Sequence, residues 1–516
     1  MKKFTLLLLF LAFLPLQAHA KTMMPADAEK LKSSFQGLLD YQKSVNEAFG
    51  GVRVVYEGEL TVTPQDSFYA VTFPRILIKN PIVKDAEGNI VSEDSTFDMG
   101  VITMNTMPDD KDGYWKIVMT LPQKMTLTEA EEGKEDFSMQ FANQNAIGVY
   151  STNLGLFTKI NLSLSDIKFT SNGKDTGINV GSFQLFNNSE EQADGKFSGP
   201  GHLTLSNLVI APPDEQDTPI SFGELKVDYS IKDVVLPKLS DYQDKLIKLA
   251  ESINQDAPPA QGDSKKIMDS ILNLYDFDFD GLSFAYSLKD MSITVDPLNE
   301  KKYETFKLDS AALGLALDGV KSEKGNLRLT QSLSGFNISP PQEEIIDILP
   351  DKTNMNISFE NVPFGSLFDV AKTSATSIAE NPDSAQMVGL GLLMRMPALL
   401  SASGTKLSVK DSGLNNSIYD VNMNGEVLTD LTSMTGFVAN FKTVFQGLDA
   451  LINVVENRPV KARKDITLLG QTLAKIKKAG KVGTADNGKP AYIYDFEATK
   501  DGKFLLNGAD PKSTLQ

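Results

Sequence analysis

The chain has 516 residues, a formal charge of −17 and no cysteine. A disulfide framework and bacterial lipoprotein acylation are thereby excluded, and the acidic balance repels nucleic acid and anionic headgroups at long range. The length could hold several domains and is ample for a sizeable core.

Lys2 and Lys3, the apolar run Phe4 to Leu16, and Ala18-His19-Ala20 form the three parts of a secretory signal peptide, with cleavage expected after Ala20. Loss of Lys2 and Lys3 with the signal takes the charge from −17 to −19. The longest later apolar stretch, Met387 to Leu400, is interrupted by Arg395 and Pro397, so no transmembrane helix is expected after signal cleavage. Export of a large cysteine-free chain points to a bacterial periplasm, with association to the outer membrane left open.

After the signal, Leu31, Phe35, Leu38, Gln42, Val45 and Phe49 recur at helical steps, and Gly50-Gly51 ends the segment. An amphipathic helix capping a sheet is expected over Asp27 to Phe49. Strand patterns follow at Val52 to Thr63, Ser67 to Phe73, Ile76 to Ile78, Asp98 to Met104, Tyr114 to Leu121, Lys124 to Thr128 and Phe137 to Phe141, an antiparallel meander broken by Pro, Gly and Asp turns.

From Leu162 to Phe364 one eight-residue pattern recurs: apolar and polar residues alternate, an Asp, Asn or Gly intervenes, and apolar residues resume. The clear copies are Leu162 to Phe169, Leu203 to Ile210, Tyr229 to Leu236 and Tyr286 to Ile293, with looser ones centred on Gly319, Gly335 and Asn361. Leu162 and Leu164 share one strand face, whereas Ile167 and Phe169 have the opposite parity, so a straight strand would turn them to water. Asp, Asn and Gly tolerate positive φ, and a bulge or tight bend at Asp166, Asn207, Asp233 and Asp290 would absorb the mismatch. A sheet bent repeatedly in this way curls into a trough with an apolar concave face. Ordinary sandwich strands running into turns remain the alternative.

The pattern is interrupted between Leu239 and Phe277. Tyr242, Leu246, Leu249 and Ile253 lie on one helical face, and a second helix carries Ile267, Ile271 and Leu274. Phe364 to Ser403 reads as helical with a break at Asn381-Pro382. Strands are expected at Leu407 to Val409, Ile418 to Leu428 and Phe437 to Phe445, then short helices at Leu448 to Glu456 and Ile466 to Lys478, then a hairpin from Tyr492 to Leu506. The organisation expected is therefore signal 1–20, helix 21–50, first β half 51–238, helical hairpin 239–277, second β half 278–362, helical segment 363–403, C-terminal β/α segment 404–508 and tail 509–516. The fold class is mainly β (α+β): a large curved antiparallel sheet or partial roll with strand bulges, capped by amphipathic helices.

Chemistry-bearing motifs are few. After the signal the one histidine is His202, in the polar register of a strand and without a nucleophile elbow elsewhere. Asp276, Asp278, Asp280 and Gly281 resemble the opening of a calcium loop, but Ser287 stands where the bidentate Glu belongs; a strand with outward aspartates is the simpler reading. Ser403 and Lys406 match S-x-x-K spacing, with Gly404 between them favouring a helix end. No catalytic residue, metal ligand or cofactor is expected from these.

The alternating strands with Asp, Asn or Gly breaks behind a signal peptide resemble those of the AsmA-like group of envelope proteins and related uncharacterised periplasmic families. Gly447 to Leu451, the helix containing Leu468 to Gln471, and the ending Tyr494 to Gly508 are similar to the close of such families. The resemblance implies long β grooves and a part in phospholipid movement or outer-membrane homeostasis. This chain departs from the better-known members in its cleavable signal and shorter length. The expected function is a non-enzymatic envelope protein binding lipid or another apolar ligand in its curled sheet, lined by Leu162, Leu164, Leu203, Leu205, Ile231, Leu288, Leu315, Leu317, Leu333 and Phe359. The alternatives are a structural or protein-binding module with a self-filled core and, last, a hydrolase using acidic residues.

Overall fold

Strand-forming sequence becomes strand through most of the chain: the computed structural model is about 55% strand and 23% helix, with one large antiparallel sheet that does not close on itself. Residues 23–48, 53–80, 83–84, 90–92, 95–129, 135–211, 218–236, 238–253, 278–296, 304–340, 348–458 and 464–512 are described. The signal region and the second helix of the 239–277 insert, at Ile267 to Leu274, lie outside the described residues.

Helix α1 (Pro25–Ala48) precedes a meander of short strands: β1 (Arg53–Glu57), β2 (Thr61–Pro64), β3 (Tyr69–Thr72), β4 (Arg75–Asn80), the separate ribbon β5 (Val83–Lys84) and β6 (Ile90–Ser92), β7 (Ser95–Gly100), β8 (Thr103–Pro108), β9 (Tyr114–Thr120), β10 (Lys124–Glu129), β11 (Glu135–Gln140) and β12 (Asn143–Ser151). Two expected single strands are each divided, because glycines in the left-handed region end them: Gly58 at φ 96° separates β1 from β2, and Gly100 at φ 73° separates β7 from β8.

The long strands follow: β13 (Leu156–Ser171), β14 (Lys174–Asn188), the short β15 (Glu190–Glu191), β16 (Phe197–Ile210) and β17 (Ile220–Val234). Helix α2 (Leu239–Ile253) then leads to β18 (Gly281–Val295), β19 (Glu304–Asp318), β20 (Gly325–Ser334), β21 (Asn337–Ser339) and β22 (Lys352–Val362). The insert does not interrupt the sheet, since β17 pairs with β18 from Ile220↔Ile293 to Lys232↔Gly281. Helices α3 (Phe364–Glu380) and α4 (Ala385–Ser403) form a hairpin, followed by β23 (Lys406–Asn415), β24 (Asp420–Thr429), β25 (Phe437–Gln446), α5 (Leu448–Glu456), α6 (Lys464–Ala479), β26 (Lys481–Thr484), β27 (Pro490–Ala498) and β28 (Phe504–Leu506).

The breaks in the repeated pattern are backbone features. Asp166, Asn207, Asp233, Asp290, Gly319, Gly335 and Asn361 all lie in the left-handed region, with φ between 50° and 71°. At Asp166, Asn207, Asp290 and Gly335 the bend takes the tight form with no residue inserted. Ser165 pairs with Ser182 and Ile167 with Val180, so Asp166 and Gly181 face each other while the register is preserved. The same matched skip places Asn207 against Gly181 and Gly223, and Asp309 against Asp290 and Gly335. These positions line up as one crease running across the long strands. A true one-residue shift accompanies Asp233, between Phe197 and Gly199 of the partner strand, and Asn361, between Gly325 and Leu327.

The crease reverses side-chain parity. Leu164 before it and Ile167 after it are both buried in one cluster with Met125, Phe141 and Val180, so both limbs of the bent sheet present apolar residues to its inside. It also forks the sheet. β12 pairs with β13 at 156–165, whereas β11 pairs with it at 168–171, and from there two branches diverge, β12-β9-β8-β3-β2 and β11-β10-β7-β4-β1.

Each end of the sheet is closed by its own core. At the first, Ala28, Leu31, Phe35 and Leu39 of α1 pack on Tyr69, Val71, Trp115 and Tyr150; Leu39 takes the buried position that spacing alone assigns to Leu38. At the last, Leu448, Leu451 and Val455 of α5 and Leu473 of α6 pack on Tyr419 and Phe445.

Candidate functional site

In-register pairing turns the alternating leucines into ladders that cross the sheet perpendicular to its strands. One ladder runs Leu162, Leu185, Leu203, Val227, Tyr286, Leu313, and its neighbour runs Leu164, Phe183, Leu205, Leu225, Leu288, Ala311, Leu333. A third contains Tyr229, Phe284, Leu315, Leu329 and Ile357, and a fourth Ile231, Leu282, Leu317, Leu327, Phe359 and Leu407. All ten residues singled out from the sequence therefore lie on one face.

That face is not uniformly covered. Leu164 is buried in the closed end, and Leu162 and Leu205 pack against the same cluster. Leu203, Ile231, Leu288, Leu317, Leu333 and Phe359 are half-buried, and Leu315 is exposed. Midway across the sheet, between β16 and β20, the ladders line an open cavity of about 570 Å³ walled by Leu203, Leu205, Leu225, Val227, Tyr286, Leu288, Leu313 and Leu333. Tyr286 and Leu313 are each 55% exposed there. Leu225, Val227, Tyr286 and Leu313 are absent from the expected lining; their signal in the sequence is parity, since each stands an even number of residues from Ile231, Leu288 or Leu315 along the same strands.

Among the lining residues only Lys226 is charged, and its ammonium pairs with Asp228 at 2.7 Å. Charge collects on the other side of the sheet and along its ends. Lys289 pairs with Glu224 at 2.8 Å, and Lys232 meets Asp318 at 2.7 Å and Asp280 at 2.9 Å. The hydrogen bonds it donates to Asp318 and then Asp280 hold the Lys232 ammonium well above the usual lysine range. A cavity lined in this way can desolvate an apolar chain, and none of its described lining residues is a carboxylate.

The weaker motifs have ordinary partners. Asp280 is engaged by Lys232 and Asp278 by Lys321, so the carboxylates of the calcium-like run face lysines; Asp276 lies outside the described residues. Among the described residues no cluster of three or more His, Asp or Glu could hold a metal ion. His202 stands opposite Asp228 in the polar register and stacks on Phe186, with ring centroids 5.0 Å apart. Ser403 donates to the Leu400 carbonyl at 2.9 Å beside the left-handed cap Gly404, and Lys406 pairs with Glu360 at 3.1 Å, so the two form no nucleophile pair.

Compared with known proteins, the chain matches no family model, no curated protein and no solved structure.

Proposed function

We propose that this chain is a non-enzymatic periplasmic envelope protein that holds an acyl chain, or an apolar ligand of similar shape, along the middle of its creased sheet, which no described segment covers. The observation that carries the reading is the pair of 55%-exposed side chains, Tyr286 and Leu313, within an apolar cavity of about 570 Å³. A self-filled core would leave no such residues facing water. The volume lies in the range of roughly 300–1,000 Å³ found for ligand pockets. Each methylene laid against the ladders contributes about 0.8 kcal/mol, so a long chain binds without any charged contact. The AsmA-like texture of the sequence agrees with this reading.

The test is native mass spectrometry of the mature protein from the envelope, followed by solvent extraction and incubation with a fluorescent fatty acid. Co-purifying lipid or saturable uptake is expected, and both should be lost in Leu313→Asp and Tyr286→Asp. A clean apo mass with no uptake overturns the proposal. A second reading, a structural or protein-binding module, is favoured by the two ends of the same face, which the chain fills with its own β10, β11, α5 and α6.

A further inference from the structure

Helix α4 breaks the rule that a surface helix turns its polar side to water. Its 19 residues are apolar around the whole circumference apart from Gln386, Arg395 and the serines at its end, and none of them is buried. Met387, Leu390, Leu393 and Met394 are 59–77% exposed, and with Pro397 and Ala398 they form a continuous outward arc whose polar residues are Gln386 near its start and Ser401 at its end. Arg395 lies on the flank, beside the cleft between α3 and α4. By length and composition α4 is also apolar enough to cross a membrane, running through Pro397 where the sequence suggests an interruption.

We propose that α4 is a membrane-contact helix whose outward arc enters the acyl boundary of an uncharged, zwitterionic phospholipid surface. Two observations select that occupant. A second copy of the chain is disfavoured: a single helix stripe of this length, about 28 Å by 10 Å, offers on the order of 300 Å² against roughly 800 Å² per partner in a stable interface, and the −17 charge opposes self-association. The same charge disfavours anionic lipid and leaves burial of the arc as the driving term.

The hairpin is held at its base. Thr405 Oγ1 donates to the Asn361 carbonyl at 2.8 Å, Asn361 Nδ2 donates to the Gly404 carbonyl at 3.3 Å, and Thr429 Oγ1 donates to the Thr405 carbonyl at 2.9 Å. These bonds tie α4 to the strand ends beside Phe359 and Leu407, which pair in the fourth ladder. Membrane contact through α4 would set that end of the apolar face next to the bilayer.

The experiment is flotation of the full mature chain with phosphatidylcholine vesicles at low and high salt, comparing wild type with the Leu390→Glu, Met394→Glu double variant. Wild type should float equally at both salt concentrations, and the variant should partition about a hundredfold less, since both changes are at exposed positions and remove apolar burial. Wild type that stays unbound, or a variant that floats as well as wild type, overturns the proposal. So does a wild-type dimer in sedimentation that the double variant converts to monomer. Leu313→Asp serves as the control: it should float normally while losing fatty-acid uptake, which keeps failure of the trough distinct from failure of the helix.

Discussion

Asp290 adopts a left-handed backbone, φ 50°, directly across from Gly223, and a Cβ built on that glycine would lie 2.8 Å from the Cβ of the aspartate. The bend thus needs two residues on two strands: one that tolerates positive φ, and one with no side chain beneath it. Asn207 over Gly181 repeats the arrangement with a separation of 2.9 Å.

Gly223→Ala should therefore destabilise the protein by about 1–3 kcal/mol, as for other insertions into a filled space. Asp290→Gly should be far milder than Asp290→Val, because glycine keeps the left-handed backbone and valine strains it. Chemical denaturation of the three variants checks the order; equal effects for Gly and Val at position 290 would contradict it.

The cap over the last sheet edge depends on Leu448, which is 1% exposed in the core formed with Tyr419 and Phe445. Leu448→Ala should cost about 2–5 kcal/mol. Hydrogen exchange should show the loss first in α5 and α6, with the crease strands protected.

Alkaline pH should loosen the same cap. Tyr494 Oη donates to the Ile476 carbonyl at 2.9 Å, and burial, followed by the charge of Tyr492, pushes its phenol up to about 12. A folded-state value above the unfolded one of about 10 means the contribution is complete below pH 10 and lost as pH rises through 12. Tyr494→Phe should remove its share of that alkaline slope, measured as thermal midpoint against pH.

At the acid end, Asp430 accepts hydrogen bonds from Thr432 Oγ1 at 2.6 Å and the Thr432 amide at 2.9 Å, with Lys500 at 3.1 Å. These lower its carboxyl from 3.8 to about 2. Its contribution is present above the ordinary carboxylate value and lost as pH falls through 2. NMR titration of the Asp430 carboxyl carbon should find it ionised at pH 3; a midpoint near 3.8 would refute the arrangement.

Much of the architecture was written locally. The Asn381-Pro382 break separates α3 from α4, and α5 occupies Leu448 to Glu456, as helical spacing requires. Each Asp, Asn or Gly at the centre of the repeated pattern takes the left-handed backbone, because parity on either side of it can be reconciled only by a bend. The ten groove candidates share one face for the same reason.

Other features depended on pairing between distant strands. Gly181, Gly223 and Asp309 carry no mark of their own in the sequence; their place in the crease is set by which residue lies opposite once the strands are in register. Alternation likewise makes Leu164 and Leu313 equivalent, yet Leu164 is buried and Leu313 faces water. Periodicity dictates which face a side chain occupies, but burial depends on what the rest of the chain brings over that face, and only the tertiary fold puts β10 and β11 above one leucine and nothing described above the other.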